Sequence, residues 1–293
     1  MTRTDSDWLA ATFEQHRGHL RAVAYRLLGS VSDAEDAVQD TWLRLSGASP
    51  GAIDNLGGWL TTVVARVSLN MLRSRRHRVE HEAVAALAEE AATDPADEVV
   101  LADSVGLALL VVLDTLTPAE RLAFVLHDLF AMPFAEVAAV LGRSVEATRQ
   151  LASRARRRVR GAPSRDRAAD LARQRAVASA FLAASRGGDF TALVALLDSD
   201  VVLTADAEAA HADAAVMLRG AERVASAARL ASSRAGHSQL ALVDGAVGIV
   251  YAPGGKLQSV LAFTVGAAGQ ITAIDVIADP ARLRRLRLAV LPD

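Results

Sequence analysis

The sequence contains no cysteine, and Lys256 is the one lysine among 32 basic residues. The absence of cysteine excludes disulfide bonds, thiol catalysis, cysteine-ligated zinc and iron–sulfur clusters. Hydrophobic residues make up 52% of the chain and charged residues 23%. That balance is typical of globular proteins and excludes a disordered or low-complexity chain.

The sequence also has no long hydrophobic run. Its most apolar stretch, Val99 to Leu116, is interrupted by Asp103 and Asp114, so that the longest uncharged segment within this stretch is Ser104–Leu113. A bilayer span needs about 20 apolar residues. The first residues, MTRTDSD, are charged and no apolar run follows them. We therefore expect a cytoplasmic protein without a signal peptide and without membrane contact.

The basic residues are clustered, although the net charge is only −2. Four arginines lie within Arg73–Arg78, seven within Arg143–Arg160, and four more near the end, at Arg282, Arg284, Arg285 and Arg287. Between the first two clusters, residues 80–103 carry eight carboxylates and no arginine. Local basic clusters in a near-neutral chain indicate that particular elements contact nucleic acid.

Residues 8–78 have the periodicity of helices, because apolar residues recur with a spacing close to 3.6. Ser32, with Glu35 three residues later, predicts a capping box at the start of a second helix. A third helix is predicted over Leu56–Arg76. We assign residues 8–78 to one helical domain and the acidic residues 79–98 to a linker.

A second helical domain is predicted over residues 99–161. Thr117-Pro-Ala-Glu120 has the N-cap, the first-turn proline and the capping-box glutamate of a helix start. A short helix at Phe134–Leu141, a turn with Gly142 and an arginine-rich helix at Ser144–Arg160 follow. This order is typical of a helix-turn-helix, which places its second helix in the major groove of DNA.

Residues 166–293 differ from the preceding residues in their hydrophobic pattern, because strand-like runs follow the first helices. They predict a third domain of α+β class, with helices first and a meandering antiparallel sheet after them. Asp244-Gly245 and Gly254-Gly255 supply turn residues between strands. The predicted strands are Val201–Thr204, Gln239–Asp244, Ala246–Tyr251, Leu257–Val265 and Gln270–Ile277. The predicted fold is therefore multidomain, with two all-α units followed by one α+β unit.

Two pairs of segments resemble σ70-family sigma factors. LLGSVSDAEDAVQDTWLR at Leu27–Arg44 and the helix Trp59–Arg76 resemble region 2 of the extracytoplasmic-function (ECF) group. LTPAER at Leu116–Arg121 and the segment Phe134–Arg157 resemble region 4. The C-terminal domain resembles SnoaL-like domains of the NTF2-like fold, which form a cone around an apolar pocket. The combination is similar to the sigma-J-like subgroup.

This resemblance implies an alternative sigma factor that binds core RNA polymerase and directs promoter-specific initiation, with no catalysis, cofactor or metal of its own. It places the helix-turn-helix on the −35 promoter element. Arg149 has the paired donors to read guanine, and Gln150 has the donor and the acceptor to read adenine. Arginines further along the helix suit phosphates. The −35 candidates are Arg143, Ser144, Glu146, Ala147, Arg149, Gln150, Arg154, Arg156, Arg157 and Arg158.

The resemblance also places the −10 element on the helix Trp59–Arg76, where a positive groove with polar neighbours suits single-stranded DNA. The −10 candidates are Trp59, Arg66, Asn70, Arg73, Arg75 and Arg76. The acidic face of the second helix disfavours DNA, and the resemblance places the β′ clamp of polymerase there. The polymerase candidates are Asp33, Glu35, Asp36, Gln39 and Asp40.

For the C-terminal domain, the titratable and polar residues give the pocket candidates Asp206, His211, His237, Tyr251 and Asp275. Some NTF2-like proteins are isomerases, cyclases or dehydratases, which need a base of raised pKa beside an oxyanion donor. No carboxylate–histidine pair stands at strand spacing. We therefore expect a domain that senses a small ligand or inhibits the sigma factor, and an anti-sigma factor is a further candidate partner.

Other interpretations fit parts of the sequence. Arginine-rich helices and acidic first turns also occur as plain solvated faces, and tryptophans on apolar faces, such as Trp42 and Trp59, are typical of a core. The chain could be a SnoaL-like enzyme or sensor fused to a DNA-binding module that does not bind polymerase, or a degenerate competitor for polymerase. Three motifs of the subgroup, WLPEPL, DGGGK and NPDKL, are replaced or reduced at residues 79–90, 204–211 and 278–283.

Overall fold

The chain divides into two compact units, residues 1–105 with 113–156 and residues 106–112 with 157–293. The computed structural model describes residues 3–48, 55–82, 106–160 and 168–291, with side chains for 9–48, 55–75, 106–160 and 169–291. Most of the predicted acidic linker, residues 83–98, lies outside these residues.

The first unit is all-α, as predicted. Its helices α1, α2 and α3 pack on one another, and α5 and α6 pack on α3. No helix among the described residues is both long and apolar enough to cross a bilayer. The helices up to residue 160 are α1 (Arg3–Leu28), α2 (Val31–Ser46), α3 (Leu56–Glu82), α4 (Leu107–Asp114), α5 (Pro118–Phe124), α6 (Phe134–Leu141) and α7 (Val145–Arg160).

Two local predictions for the first unit are wrong. Ser30, in extended conformation, caps α2 and accepts a hydrogen bond from the Asp33 N–H, so that Ser32 does not cap the helix and Glu35 forms no capping box. Helix α3 continues past its predicted end at Arg76 to Glu82. No glycine or proline lies between these two positions to stop it.

The helix start predicted at Thr117 is confirmed. The Thr117 hydroxyl accepts from the Glu120 N–H, and the Glu120 carboxylate accepts from the Thr117 N–H, which completes the capping box with Pro118 in the first turn. The helix then passes into a π-helical turn, Val125–Leu129. Such turns widen the hydrogen-bonding pattern by one residue.

Arg121 joins α5 to the end of α1. The residue is 2% exposed. Its Nε donates to the Arg26 carbonyl at 3.3 Å, and its Nη1 lies 3.0 Å from Asp114 Oδ1. Burial lowers the pKa of the Arg121 guanidinium, and Asp114 raises it in part. Because arginine stays protonated at neutral pH, a full positive charge faces the carbonyl end of α1, where the helix dipole is negative.

Further contacts close the same junction. The Phe130 ring lies 5.3 Å from the His19 ring in an edge-on arrangement, and the Arg26 guanidinium lies 5.2 Å above Phe130. Burial, with lesser contributions from the charges of His16 and Arg26, lowers the pKa of His19. Arg66 Nη2 donates to the Ala139 carbonyl at 3.2 Å. The two helical segments of the first unit thus share one continuous packed interface.

The second unit is α+β, as predicted. Its seven-stranded sheet has the order β2-β1-β6-β5-β4-β3-β7. The strands are β1 (Leu197–Ala205), β2 (Val216–Arg219), β3 (Ser238–Val243), β4 (Ala246–Tyr251), β5 (Ser259–Val265), β6 (Ile271–Ile277) and β7 (Leu288–Ala289). The helices from residue 168 are α8 (Ala168–Gly187), α9 (Phe190–Leu196), α10 (Ala207–Ala210), α11 (Ala221–Leu230), α12 (Ser232–Ala235) and α13 (Pro280–Leu283).

The predicted antiparallel meander is correct for β3 to β6 only. β1 runs parallel to β6, which makes the sheet mixed, and the short strands β2 and β7 were not predicted. Two- and four-residue strands lack a recognisable period of two, which explains why the sequence does not reveal them. The Asp244-Gly245 turn is confirmed, with positive φ at both residues. The core between helices and sheet contains Phe181, Leu193, Leu197, Val224, Ile249 and Ile271.

We expect Arg121→Met to destabilise the first unit by about 1–3 kcal/mol, because the Arg26 carbonyl would lose a buried donor. Asp114→Asn should cost less than about 1 kcal/mol, since the Asp114 side chain is 65% exposed. Urea unfolding followed by circular dichroism measures both. Equal losses for the two variants would contradict the assignment of Arg121 to the helix end.

Candidate nucleic-acid and protein interfaces

Helix α7 is strongly two-faced. Thr148, Leu151, Ala152 and Ala155 are buried in the first unit, and Val159 is buried in the second. Gly142, with φ of 64°, ends α6, and the Ser144 hydroxyl accepts from the Ala147 N–H, as predicted for the helix-turn-helix. The −35 candidates Arg143, Ser144, Glu146, Arg149, Gln150, Arg154, Arg157 and Arg158 are exposed, while Ala147 and Arg156 are half-buried.

Several of these arginines already have partners in the first unit. The Arg149 guanidinium lies 5.7 Å above the Phe134 ring and 3.8 Å from Glu146. Arg154 Nε lies 3.3 Å from Glu120 Oε1, and Arg156 Nε lies 2.7 Å from Asp128 Oδ1. A phosphate would therefore compete with a carboxylate for Arg154 and Arg156. Arg149 is held at the end that faces bases in a helix-turn-helix.

The −10 candidates lie on different parts of α3. Arg66, Asn70 and Arg73 are exposed, and Trp59 is half-buried. Arg75 is half-buried, forms an ion pair with Asp33, and donates to the Leu28 carbonyl at 3.2 Å. The side chain of Arg76 lies outside the described residues. Arg75 thus ties α3 to the junction of α1 and α2 in this structure.

A cleft of about 400 Å³ lies between α2 and α3. Asn70, a −10 candidate, lines it together with the polymerase candidates Asp33, Asp36 and Asp40. The sequence assigned these residues to two separate partners, whereas the structure brings them to one cleft. Arg44 and the −10 candidate Arg75 also line the cleft and pair with Asp40 and Asp33. The lining thus has one carboxylate more than it has guanidinium groups, which favours uncharged bases over phosphates.

The other two polymerase candidates, Glu35 and Gln39, face the opposite side of α2. They line a cleft of about 300 Å³ with Phe13 and Trp42, whose ring centroids are 5.1 Å apart. Glu35 is paired with Arg21 of α1 at 2.7 Å. The predicted acidic surface is therefore divided between two clefts by α2.

Leu43 was missed as a candidate. Its side chain is 59% exposed at the end of α2, close in sequence to Trp42 and one turn beyond Gln39. The buried residues of α2 are Val31, Ala34, Ala37, Val38, Thr41 and Leu45. Leu43 is out of phase with that set, and this is the sequence signal that marks it as an apolar side chain directed to solvent.

In the second unit, Asp206 is a structural residue. It caps α10, is 9% exposed and accepts hydrogen bonds from the N–H groups of Ala209, Ala278 and Asp279 at 2.9 to 3.0 Å. Arg282 Nη1 lies 3.3 Å from it. Burial raises the pKa of Asp206, but these hydrogen bonds and Arg282 outweigh burial, so that the net shift is downward. A carboxyl group held ionised in this way is a poor general base at neutral pH.

Two arginines link four of the pocket candidates in pairs. Arg282 joins Asp206 to Asp275, with Nη2 2.7 Å from Asp275 Oδ2. Arg234 joins the other pair, because its Nη2 lies 2.8 Å from His211 Nε2 and its guanidinium 6.0 Å above the Tyr251 ring. His237 contributes backbone hydrogen bonds to Arg234 and Ala252. Over the described ranges, no His, Asp and Glu side chains are grouped as a metal ion would require.

Comparison with known proteins identifies both helical segments. Residues 12–78 match Sigma-70 region 2, and residues 106–159 match Sigma-70, region 4. The chain is 43% identical to the ECF RNA polymerase sigma factor SigJ of Mycobacterium tuberculosis over 80% of its own length and 78% of the relative. It is 36% identical to the probable ECF RNA polymerase sigma factor SigI of the same organism over 96% of its own length and 97% of the relative. A crystal structure of M. tuberculosis SigJ aligns with 94% of this chain and 98% of its own at 35% identity, with a TM-score of 0.45.

We expect Asp206→Asn to destabilise the second unit by about 1–3 kcal/mol, because a neutral amide accepts these hydrogen bonds more weakly. The lowered pKa means that the stabilisation from Asp206 is present above the unfolded-state pKa of about 4 and is lost as the pH falls through the lower folded-state value. Thermal unfolding between pH 3 and 7 should therefore show a shallower acid dependence for Asp206→Asn than for the wild type.

Asp213→Asn is the control for Asp206→Asn, because Asp213 is exposed on the same unit. It should leave both the stability and the pH dependence unchanged. An unchanged acid dependence in Asp206→Asn would contradict the role assigned to Asp206.

Proposed function

The chain belongs to the extracytoplasmic-function RNA polymerase sigma factors, the subunits that bind core RNA polymerase and direct initiation at chosen promoters, and we propose how its surfaces divide that work. Region 2 and region 4 follow one another in the chain at residues 12–78 and 106–159. The observation that carries the proposal is the exposed face of α7 in a helix-turn-helix. A DNA-binding module that does not bind polymerase is not favoured, because region 2 would then have no function.

Helix α7 reads the −35 element in this proposal. Arg149 and Gln150 lie in its first half, where recognition helices contact base edges. The Phe134 ring and Glu146 restrict the Arg149 side chain before DNA arrives. Less side-chain entropy is then lost on binding. Arg154, Arg156, Arg157 and Arg158 supply phosphate contacts, with Arg154 and Arg156 released from Glu120 and Asp128.

Helix α3 captures the −10 element through Trp59, Arg66, Asn70 and Arg73. Asn70 lies in the cleft with Asp33, Asp36 and Asp40. Bases turned out of the duplex expose donors that amide and carboxylate oxygens accept, while their phosphates stay away from the carboxylates. Arg75 reaches DNA only if it leaves Asp33 and the Leu28 carbonyl.

Polymerase docks on the other side of α2. The cleft there combines the Phe13 and Trp42 rings with Glu35 and Gln39, and the exposed Leu43 lies beside Trp42 in sequence. Aromatic and aliphatic anchors with polar neighbours are typical of protein interfaces. The acidic side chains along α2 favour a basic partner, which fits the β′ clamp of core polymerase that the resemblance implies.

The two helical segments separate when both promoter elements are bound. The −35 and −10 elements lie about 25 base pairs apart, or ~85 Å at ~3.4 Å per base pair. A compact unit of the size of the first one is only about 40 Å across. Arg121 and Arg66, which hold regions 2 and 4 together here, must therefore release the Arg26 and Ala139 carbonyls.

The second unit modulates this activity and catalyses no reaction itself. It contains Gly106–Val112 of the region 4 match and the last turn of α7, and the Ala108 N–H donates to Gln239 Oε1 of β3 at 3.0 Å. The pocket candidates are held by Arg234 and Arg282, which supports a scaffold or sensor over an enzyme. The protein acts in the cytoplasm with polymerase and promoter DNA, and a small ligand or an anti-sigma factor would act on it there.

Run-off transcription with purified core polymerase and promoters of the source genome tests the assignment of α7. We expect promoter-specific transcripts from the full chain. Arg149→Ala and Gln150→Ala should each reduce discrimination between cognate and mismatched −35 sequences by about 1–3 kcal/mol. Arg173→Ala, an exposed arginine of α8, is the matched control and should behave as wild type. Unaltered discrimination in both α7 variants would contradict the proposal.

Cross-linking tests the separation of regions 2 and 4. Since the chain has no cysteine, Arg66→Cys with Ala139→Cys gives two unique thiols at facing positions. A short, reducible bis-maleimide joining them should abolish promoter-specific transcription, and cleavage of the linker by a reductant should restore it. This reversal controls for the loss of Arg66. Full activity while the linker is intact would refute the separation.

A further inference from the structure

We propose that Arg284, Arg285 and Arg287, called here the tail arginines, form a DNA-phosphate-binding surface with the last turn of α7. This inference rests on the proposed function, in which α7 binds promoter DNA. The sequence shows the cluster near the chain's end, but neither the region 2 nor the region 4 match extends to it.

The chain after the tail arginines is attached to the end of α7. The Val290 N–H donates to the Val159 carbonyl, in the last turn of α7, at 2.8 Å. The two residues before Val290 form β7, which pairs with β3 through Leu242–Ala289 and Val243–Leu288. The tail thus runs from the edge of the sheet to the recognition helix, and all of these residues belong to the second unit.

Asp244 fixes the start of this segment. Its N–H donates to the Arg287 carbonyl at 2.9 Å, and its Oδ1 accepts from the Arg287 N–H at 3.0 Å. The backbone from Arg287 to Val290 is therefore held at both ends. The Arg284 and Arg285 N–H groups also donate, to the Pro280 and Arg282 carbonyls at 3.2 and 3.0 Å. Binding to DNA would thus order mainly the arginine side chains, which keeps the entropic cost of using them low.

The two arginine clusters lie near each other because of this attachment. Three extended residues separate Arg287 from Val290, or about 10 Å, and Arg284 is at most about 20 Å away along the chain. Arg158 and Arg160 flank Val159 directly. These separations correspond to a few nucleotides of one DNA strand, at ~3.4 Å rise each.

The charge on this surface is available to a ligand. Arg157, Arg160 and the tail arginines are all exposed. Arg282 is excluded from the surface because it is engaged with Asp206 and Asp275. The side chain of Arg287 is 87% exposed, but it lies 3.5 Å from the Asp244 carboxylate. Because that carboxylate competes with phosphate for Arg287, Arg284 and Arg285 carry most of the proposed effect.

The chemistry of the surface selects phosphates. Guanidinium groups donate in a fixed fork that matches phosphate oxygens. Contacts to the DNA backbone add affinity without reading the sequence. The surface would therefore lengthen the phosphate footprint of α7 and raise the affinity for all promoters equally, while Arg149 and Gln150 retain the choice among them.

The test uses the full chain with core polymerase and a promoter duplex that supports run-off transcription. Affinity is measured between about 50 and 200 mM salt for the wild type, Arg284→Gln with Arg285→Gln, and Arg284→Lys with Arg285→Lys. The glutamine pair should bind roughly tenfold more weakly at the lowest salt and lower the slope of log affinity against log salt by about 1 to 2. The lysine pair should retain the slope. Arg223→Gln with Arg229→Gln, exposed on α11 of the same unit, is the matched control.

The outcomes separate the inference from the proposed function. No promoter binding by the wild-type complex would overturn the proposed function itself. Wild-type affinity and slope in the glutamine pair, or an equal loss in the α11 control, would overturn the inference alone and leave the tail arginines as a solvated face. A loss confined to the glutamine pair, at an unchanged melting temperature and an unchanged preference among −35 sequences, supports it. If the glutamine pair melts lower, the lysine pair decides, because a slope below wild type there overturns the inference.

Discussion

The packing of the helical half depends on one buried charge, the guanidinium of Arg121. It lies at the carbonyl end of α1, 3.3 Å from the Arg26 oxygen, where Arg75 also donates to the Leu28 carbonyl. Two cations thus satisfy carbonyls that a helix end leaves unpaired. A buried guanidinium that loses its hydrogen-bond partners costs several kcal/mol, so that few other arrangements of these helices are stable. The contact between α5 and the end of α1 therefore depends on this one side chain.

Helix α2 separates two clefts that have different linings. Its buried stripe, from Val31 to Leu45, fixes its orientation between α1 and α3. Asp33, Asp36 and Asp40 then face the α3 side, and Glu35 and Gln39 face the α1 side. In the proposed function, the α3 side receives exposed bases and the α1 side docks polymerase. Glu35 is adjacent to Asp36 in the chain, and Gln39 is adjacent to Asp40, so that a substitution on one side lies next to residues of the other.

Local signals in the sequence were enough for most of the fold. The capping box at Thr117, the turn at Gly142 and the Asp244-Gly245 hairpin each depend on a few neighbouring residues, and all were predicted. What could not be predicted depends on long-range contacts. The parallel pairing of β1 with β6 joins residues about 70 apart, and the contact of Arg282 with Asp206 spans a similar distance. Likewise, no spacing shows that Arg75 pairs with Asp33.

Helix α4 shows that the border between the two compact units falls inside a matched segment. Leu107, Leu110, Val111 and Val112 are buried, and Gly106–Val112 group with the C-terminal sheet although they fall within the region 4 match. The Ala108 N–H also donates to Gln239 Oε1 of β3. A chain cut after α7 would therefore keep these apolar side chains but lose the residues with which they are grouped. Removal of the C-terminal domain would thus also change the surroundings of the first helix of the region 4 match.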